Sequence, residues 1–469
     1  MLHSFQLNGY NIVMDVNSGA VHVVDGMVYD MIQLLDADFL ARSFDSSFTE
    51  KLEQAYPAQL FAPLEARFAR SQLEEGYEEI YEMYQNGQLF TSDDYEQFAD
   101  MMVSAPIKAM CLNVAHDCNL RCSYCFASTG DFGGERKLMT AETGKKAIDY
   151  LLKHSGDRHN LEMDFFGGEP LMAFDVVKEV VDYARSKEKE YNKNFRFTIT
   201  TNGMLLTDDK IDYINKEMYN VVLSLDGRKE VNDRMRFCVN GSGSYDIILP
   251  KFQKMAKERG DGQYYIRGTF TKYNKDFSND VLHFYEKGFE QISIEPVVTD
   301  PKLPYALTEE DLPEVYAEYE KLAKIIIEKR KNGEFFNFFH FMIDLDQGPC
   351  AIKRLRGCGC GNEYVSVTPE GDVYPCHQFV GKPEWIMGSV NDLSLNTEIK
   401  DSFAKTTVYT KPECRTCWAK FYCSGGCNAN NLEYAGSIKN PYKVACDLEK
   451  KRLECAIMIK AALADLGLE

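Results

Sequence analysis

Cys118-Asn119-Leu120-Arg121-Cys122-Ser123-Tyr124-Cys125 decides the reading of this chain. Three cysteines in a C-x3-C-x2-C spacing, with an aromatic residue before the last, put three thiolates on one short loop. Three thiolates can hold one metal centre and leave its fourth position open, the arrangement a reactive iron–sulfur cluster uses. A zinc site closes that position instead, and His116 is the local candidate ligand for this alternative.

Working outward, the loop directly follows a candidate strand, 107–115. Further candidate strands lie at 161–166, 195–201, 221–225, 264–270 and 291–297, separated by helical segments. Thr140 suits the N-cap of a helix running to His154, with Gly156 as its stop. Segments 174–186 and 208–217 supply two more helices. Six β–α alternations predict an α/β fold, a parallel sheet curved into a partial (β/α)6 TIM-like barrel. Such sheets bind ligands at the carboxyl ends of their strands. At those ends stand Gly167-Gly168-Glu169-Pro170, Thr200-Thr201-Asn202-Gly203 and Ser224-Leu225-Asp226-Gly227. Glycines let backbone approach a ligand closely, and the carboxylate of Glu169 suits an ammonium group. Arg267 lies within a strand, where its charge needs a partner, and a ligand carboxylate is one candidate.

Residues 305–335 read as one long helix, with Thr308 and Asp311 as a capping box. At the other end, Phe5 to Asp15 reads as a strand broken by a turn. Asn17-Ser18-Gly19 is a turn signal, and Ala20-Val21-His22-Val23-Val24 completes a hairpin. Helices follow, which makes 1–100 a small recognition module. The expected domains are 1–100, a barrel over 101–305, a bridging helical region over 306–345 and a cysteine-rich domain over 346–469.

The chain has 469 residues, 45% hydrophobic and 27% charged, with net charge −19 and 15 cysteines. Its mean hydropathy is −0.36. The acidic balance and the lack of a basic stripe speak against a nucleic-acid partner. No apolar run reaches the roughly 18 residues of a membrane span, and no secretion signal opens the chain. The expected location is cytoplasmic. Fifteen cysteines in such a chain point to metal rather than to disulfides. Beyond the first loop they cluster at Cys350, Cys358, Cys360, Cys376, Cys414, Cys417, Cys423, Cys427 and Cys446.

The C-x3-C-x-aromatic-C loop and Gly167-Gly168-Glu169-Pro170, in this order and on these elements, resemble the radical S-adenosylmethionine enzymes. That resemblance implies a 4Fe–4S cluster on Cys118, Cys122 and Cys125, with S-adenosylmethionine on its fourth iron. Tyr124 would lie near the adenine, and Gly167, Gly168 and Glu169 would meet the amino end. Asn202, Ser224, Asp226 and Arg267 would contact ribose and carboxylate. The cofactor carries the chemistry and the protein positions it.

The C-terminal cysteines resemble the SPASM extension, which implies two auxiliary 4Fe–4S clusters and three in all. Cys414, Cys417, Cys423 and Cys446 would hold the second. Cys358, Cys376 and Cys427 would hold the first, with Cys350 by order as its fourth ligand, Cys360 as the rival, and an open iron for a substrate thiolate as a third possibility. His377 stands where related side-chain-oxidising enzymes carry Asp, which makes it a candidate base or substrate contact and puts formylglycine chemistry in doubt.

The N-terminal hairpin and helices resemble the winged-helix-like leader-recognition element of peptide-modifying enzymes. The opening run from Leu7 to His22, Gly348-Pro349-Cys350 and the stretch Thr368 to Phe379 resemble the maturases of SCIFF peptides, among the sactipeptide and ranthipeptide synthases. This implies a thioether from a cysteine sulfur to a carbon of an acceptor residue in a ribosomally made precursor. It also implies two partners, that peptide with its leader and a one-electron donor such as a flavodoxin or ferredoxin. The alternatives are a formylglycine-forming sulfatase maturase, a carbon–carbon crosslinker, and a non-catalytic zinc-bearing peptide-binding scaffold.

Overall fold

The computed structural model describes residues 1–42, 52–101, 104–345 and 354–468. Cys350 lies outside the described residues. The six expected strands are present as β4 (Ala109–His116), β5 (Asn160–Gly167), β6 (Asn194–Thr201), β7 (Asn220–Ser224), β8 (Gln263–Phe270) and β9 (Gln291–Pro296). Each pairs in parallel with the next. The sheet does not close on itself. The free edge of β4 instead takes up a C-terminal strand, Tyr364–Val367, in parallel register with Ala109–Leu112.

Burial alternates with period two along β5 to β8, while β4, central in the sheet, is buried throughout. Leu161, Met163 and Phe165, like Phe195, Phe197 and Ile199, are fully or nearly fully buried under the helices. Their neighbours Glu162, Asp164, Arg196 and Thr198 face the other way and keep accessible surface. A parallel barrel packed on both faces reads as continuous apolar strands. The alternation here gives an outer face locked to helices and a polar interior with room for ligands.

Local signals explain the helix ends. Thr140 Oγ1 accepts the Thr143 N–H at 3.1 Å, capping the helix Ala141–His154. The helix 208–217 matches its expected span. Phe174–Tyr191 runs five residues past the expected 186, because Arg185–Glu188 and Lys187–Glu190 support its last turns. It ends at Asn192, in left-handed conformation. The helix expected over 305–335 is shorter, Leu312–Lys331. Asp311 accepts both the backbone N–H and the hydroxyl of Thr308 at 3.0 Å, so the capping box holds Thr308 outside the helix. Asn332 and left-handed Gly333 stop it.

The N-terminal segment has three antiparallel strands, β1 (Leu2–Leu7), β2 (Tyr10–Asp15) and β3 (Val21–Val24). The expected broken strand is a hairpin, turned by Asn8-Gly9 with both residues left-handed. Leu2 and Val13 pack with the helices Gly26–Arg42 and Arg70–Gln85. Phe5, Leu7, Ile12 and Met14 join the main core, where β1 and β2 meet the last helix, Lys443–Asp465. Among the described residues no helix is long and apolar enough to cross a membrane.

Candidate active site: three cysteine groups around a polar barrel mouth

The cysteine loop leaves β4 at the carboxyl end of the sheet and has no helix or strand of its own. Its backbone is held from outside. Arg121 N donates to Phe237 O at 2.8 Å and Ser123 N to Met235 O at 2.9 Å, with a bridge between Leu120 and Cys238. Just beyond, Ser128, Thr129 and Phe132 are left-handed without being glycine, a conformation that surrounding structure must impose.

The two glycines at the end of β5 serve close packing. A Cβ on Gly168 would lie 2.1 Å from Asp117 O, and one on Gly167 2.3 Å from Ala115 O. Gly168 N donates to Ala115 O and Glu169 N to Asp117 O, at 2.7 and 2.9 Å. Glu169 is fully buried, and its carboxylate accepts from Leu171 N, Thr201 Oγ1 and Asn202 N at 2.8–3.0 Å. It ties β5 to β6. Asn202 in turn donates to Asn119 Oδ1 at 2.8 Å and lies 3.5 Å from Cys118 Sγ.

Tyr124 packs inward. Its hydroxyl donates to the Asp226 carboxylate at 2.7–2.8 Å and accepts from Arg236 at 3.0 Å. Burial pushes Asp226 up to about 6, against the pull of Arg236. Arg236 is 8% exposed, and its Nε has no partner. Burial also pushes Cys118 up to about 12 and Cys122 to about 11, with Arg236 opposing at Cys122. Buried thiols of this kind become thiolates only when a metal supplies positive charge.

Ser224 ends β7, in register with Arg267 on β8. The charge partner of Arg267 is Glu295 on β9, 2.7 Å away, so the chain itself supplies the carboxylate that the sequence left open. Burial opposes ionisation of Glu295, but the guanidinium outweighs it and brings the carboxyl down to about 2. Both side chains still keep a third to a half of their surface accessible, 37% and 47%, from the barrel interior. His377 faces the same interior. Its ring centre lies 5.0 Å from Phe166 and 5.2 Å from Phe126. Burial, with Arg267 nearby, brings it down to about 4, so the ring is neutral at pH 7. Its Nδ1 has no partner.

The C-terminal thiols fall into two groups by the charge they exert on one another. Cys358, Cys360, Cys376 and Cys427 form one. Cys360 and Cys376 share one buried cluster, so Cys360 takes a place in this group. Cys414, Cys417, Cys423 and Cys446 form the other. The first group adjoins the opening loop. Ala127 and Phe132 share a hydrophobic cluster with Cys360, Cys376 and Phe379, with Cys125 packed at its side. His116 sets its ring against Phe132, at 4.7 Å. Among the described residues, no three His, Cys, Asp or Glu side chains converge tightly enough to hold a single ion. The donor sets, three thiols on one loop and two groups of four, suit multi-iron clusters. An orphan guanidinium N–H beside the loop suits an anionic ligand group.

Arg236, Glu295 and the pairing of Cys360 with Cys376 carry no local signal in the sequence. Each depends on which segments the fold brings together.

The family model of the Radical SAM superfamily matches residues 112–268, and that of the iron–sulfur cluster-binding SPASM domain residues 358–418. A cysteine-type anaerobic sulfatase-maturating enzyme of Clostridium novyi is 26% identical over 67% of this chain and 86% of its own length. The solved structure of anSMEcpe with bound AdoMet superposes with TM-score 0.63 at 22% identity, over 76% of this chain and 99% of that one. SuiB of Streptococcus suis, bound to precursor peptide SuiA, gives 0.52 at 14% identity, over 95% and 98%. The chain thus carries a Radical SAM region over 112–268 and an iron–sulfur cluster-binding SPASM region over 358–418.

Proposed function

We propose that this enzyme matures a ribosomally made, cysteine-rich peptide of the SCIFF kind, joining a cysteine sulfur to a carbon of an acceptor residue. The observation that carries the reading is the shared hydrophobic cluster of Cys125, Ala127 and Phe132 with Cys360 and Cys376. It makes the opening loop and the first C-terminal thiol group neighbours, so one peptide segment can present a C–H bond to one and a sulfur to the other.

Cys118, Cys122 and Cys125 would hold the first 4Fe–4S cluster, and the two C-terminal groups would hold the auxiliary clusters. When bound, the first cluster and S-adenosylmethionine supply a 5′-deoxyadenosyl radical that takes hydrogen from an unactivated carbon. The chain's own residues set the conditions. Arg236 and Asp226 fix Tyr124 against the loop, and Glu169 fixes Asn202 beside Cys118. Arg267 and Glu295 keep the interior charged but internally neutralised. Phe126, Phe166 and His377 narrow its mouth and shield it from water. The peptide loses one hydrogen from carbon, one proton from sulfur and one electron, which a one-electron carrier removes.

A peptide substrate has a docking edge. β3 is an outer strand of the N-terminal sheet, and Val23 is 52% exposed. Beside it lies a groove of about 380 Å³ lined by Val21, Val24, Val28, Glu79 and Met83. Strand addition suits such an edge. The sulfatase-maturase fold accounts for about three quarters of the chain, and the SuiB fold for nearly all of it. The test is 5′-deoxyadenosine formation with precursor peptides that carry or lack the leader. The reading expects at least tenfold more with the leader; equal yields would contradict it.

A further inference from the structure

Lys411 is one of the buried lysines, with Lys193, Lys400 and Lys420, and differs from them in lying between cysteine-bearing segments. It is 2% exposed, and its ammonium donates to Gly425 O at 2.7 Å and to Asn428 Oδ1 at 3.0 Å. Among the described residues no carboxylate pairs with it, whereas the equally buried Lys420 is paired with Asp93. Gly425 is left-handed, and a Cβ there would lie 3.0 Å from the ammonium, so the backbone is fitted around the charge. Lys411 O accepts the Cys414 N–H at 3.0 Å while its ammonium reaches the 425–428 segment, so the residue spans from the segment of one thiol group to that of the other. Its two acceptors flank Cys427 in the segment that links the groups. An anionic counterpart stabilises a buried ammonium, and with neutral thiols Lys411 has none among the described residues. Two clusters bound by thiolates would provide one on each side.

We propose that Lys411 is a positioning residue shared by the two C-terminal clusters, its charge holding the reduction potentials of both upward. This rests on the assignment of clusters to those two thiol groups. A cation between two clusters favours the electron-rich form of each, so an electron arriving from the peptide finds a stabilised acceptor at either. Lys193 is the contrast. It too is buried and donates to backbone carbonyls, Gly156 O and Arg158 O, but it lies among no thiols.

The experiment is an EPR-monitored redox titration of the anaerobically reconstituted full chain, with Cys118, Cys122 and Cys125 replaced by Ala to silence the first cluster. At the unsubstituted midpoint, Lys411→Gln is expected to leave both auxiliary clusters at least tenfold less reduced, a shift of 59 mV for a one-electron couple. Asn428→Asp, which keeps the lysine and places a carboxylate on it, is expected to shift both in the same direction. Lys193→Met is expected to lower the melting temperature and leave both potentials unchanged. Unchanged potentials in Lys411→Gln and Asn428→Asp with iron intact, or a shift at one cluster alone, would overturn the proposal. A parent chain that holds zinc or no auxiliary iron would overturn the cluster assignment, and this inference with it.

Discussion

The opening cysteine loop and the C-terminal cysteine groups solve one problem in two ways. The loop is an irregular segment held by regular structure. β4 delivers it, β5 and β6 close over it through Gly168 and Glu169, and a backbone ladder to Met235 and Phe237 runs along it. Of the grouped C-terminal thiols Cys446 lies in the long last helix, and the others sit on short pieces and turns. Pro412–Arg415 and Lys420–Cys423 are four-residue helices, and left-handed Gly357, Gly359, Gly361, Gly425 and Gly426 turn the segments that carry the other group. One site inherits its geometry from a sheet held by its own strand pairing and apolar core. The other has few regular elements beneath it, so its geometry depends on what the thiols bind.

The largest expected effect tests this difference. Removing iron with a chelator is expected to raise amide hydrogen exchange by at least 100-fold over 412–428, while β4 to β6 keep their protection. Equal loss in both regions would erase the contrast.

A smaller effect probes the first region alone. Arg236→Met leaves Tyr124 and Asp226 buried without their cation, and is expected to cost about 2–4 kcal/mol in denaturant unfolding of the iron-free chain. A cost below about 0.5 kcal/mol would show that the loop needs no such clamp.

The smallest effect is a slope. Asp226 titrates at about 6 in the folded chain, against an ordinary value of 3.8. Between those values the folded state holds the proton more tightly than the unfolded one, so this group's contribution to stability falls as pH rises through the window. Asp226→Asn removes that fall, and the difference between parent and variant is expected to change between pH 4 and 6 and to level off above. A flat difference would mean that Tyr124 and Arg236 fully compensate the carboxylate.

The contrast also explains what the sequence made legible. The strands were readable as apolar runs separated by helical segments, four of them alternating, and the helix 208–217 by acidic residues in its first turn and a lysine in its last. The cysteine loop was legible by spacing alone. The use of Gly167 and Gly168 was not, because the atoms they avoid, Ala115 O and Asp117 O, belong to another strand. Arg267 did announce that it needed a partner. That Glu295 fills the role follows from the pairing of β8 with β9. Order along the chain favoured Cys350 as the fourth ligand of the first auxiliary cluster, a residue outside those described, while Cys360, its rival, shares a buried cluster with Cys376. Lys411 reads as an ordinary surface lysine until the segments around it are folded together.

One measurement bears most directly on the account. The reconstituted enzyme is incubated anaerobically with S-adenosylmethionine, a reductant and a leader-bearing, cysteine-rich precursor peptide, and the product is weighed and its free thiols alkylated. The account predicts a mass lower by two hydrogens and one thiol fewer to alkylate for each crosslink. A product that has lost sulfur, or one that has lost two hydrogens with every thiol still free, would contradict it.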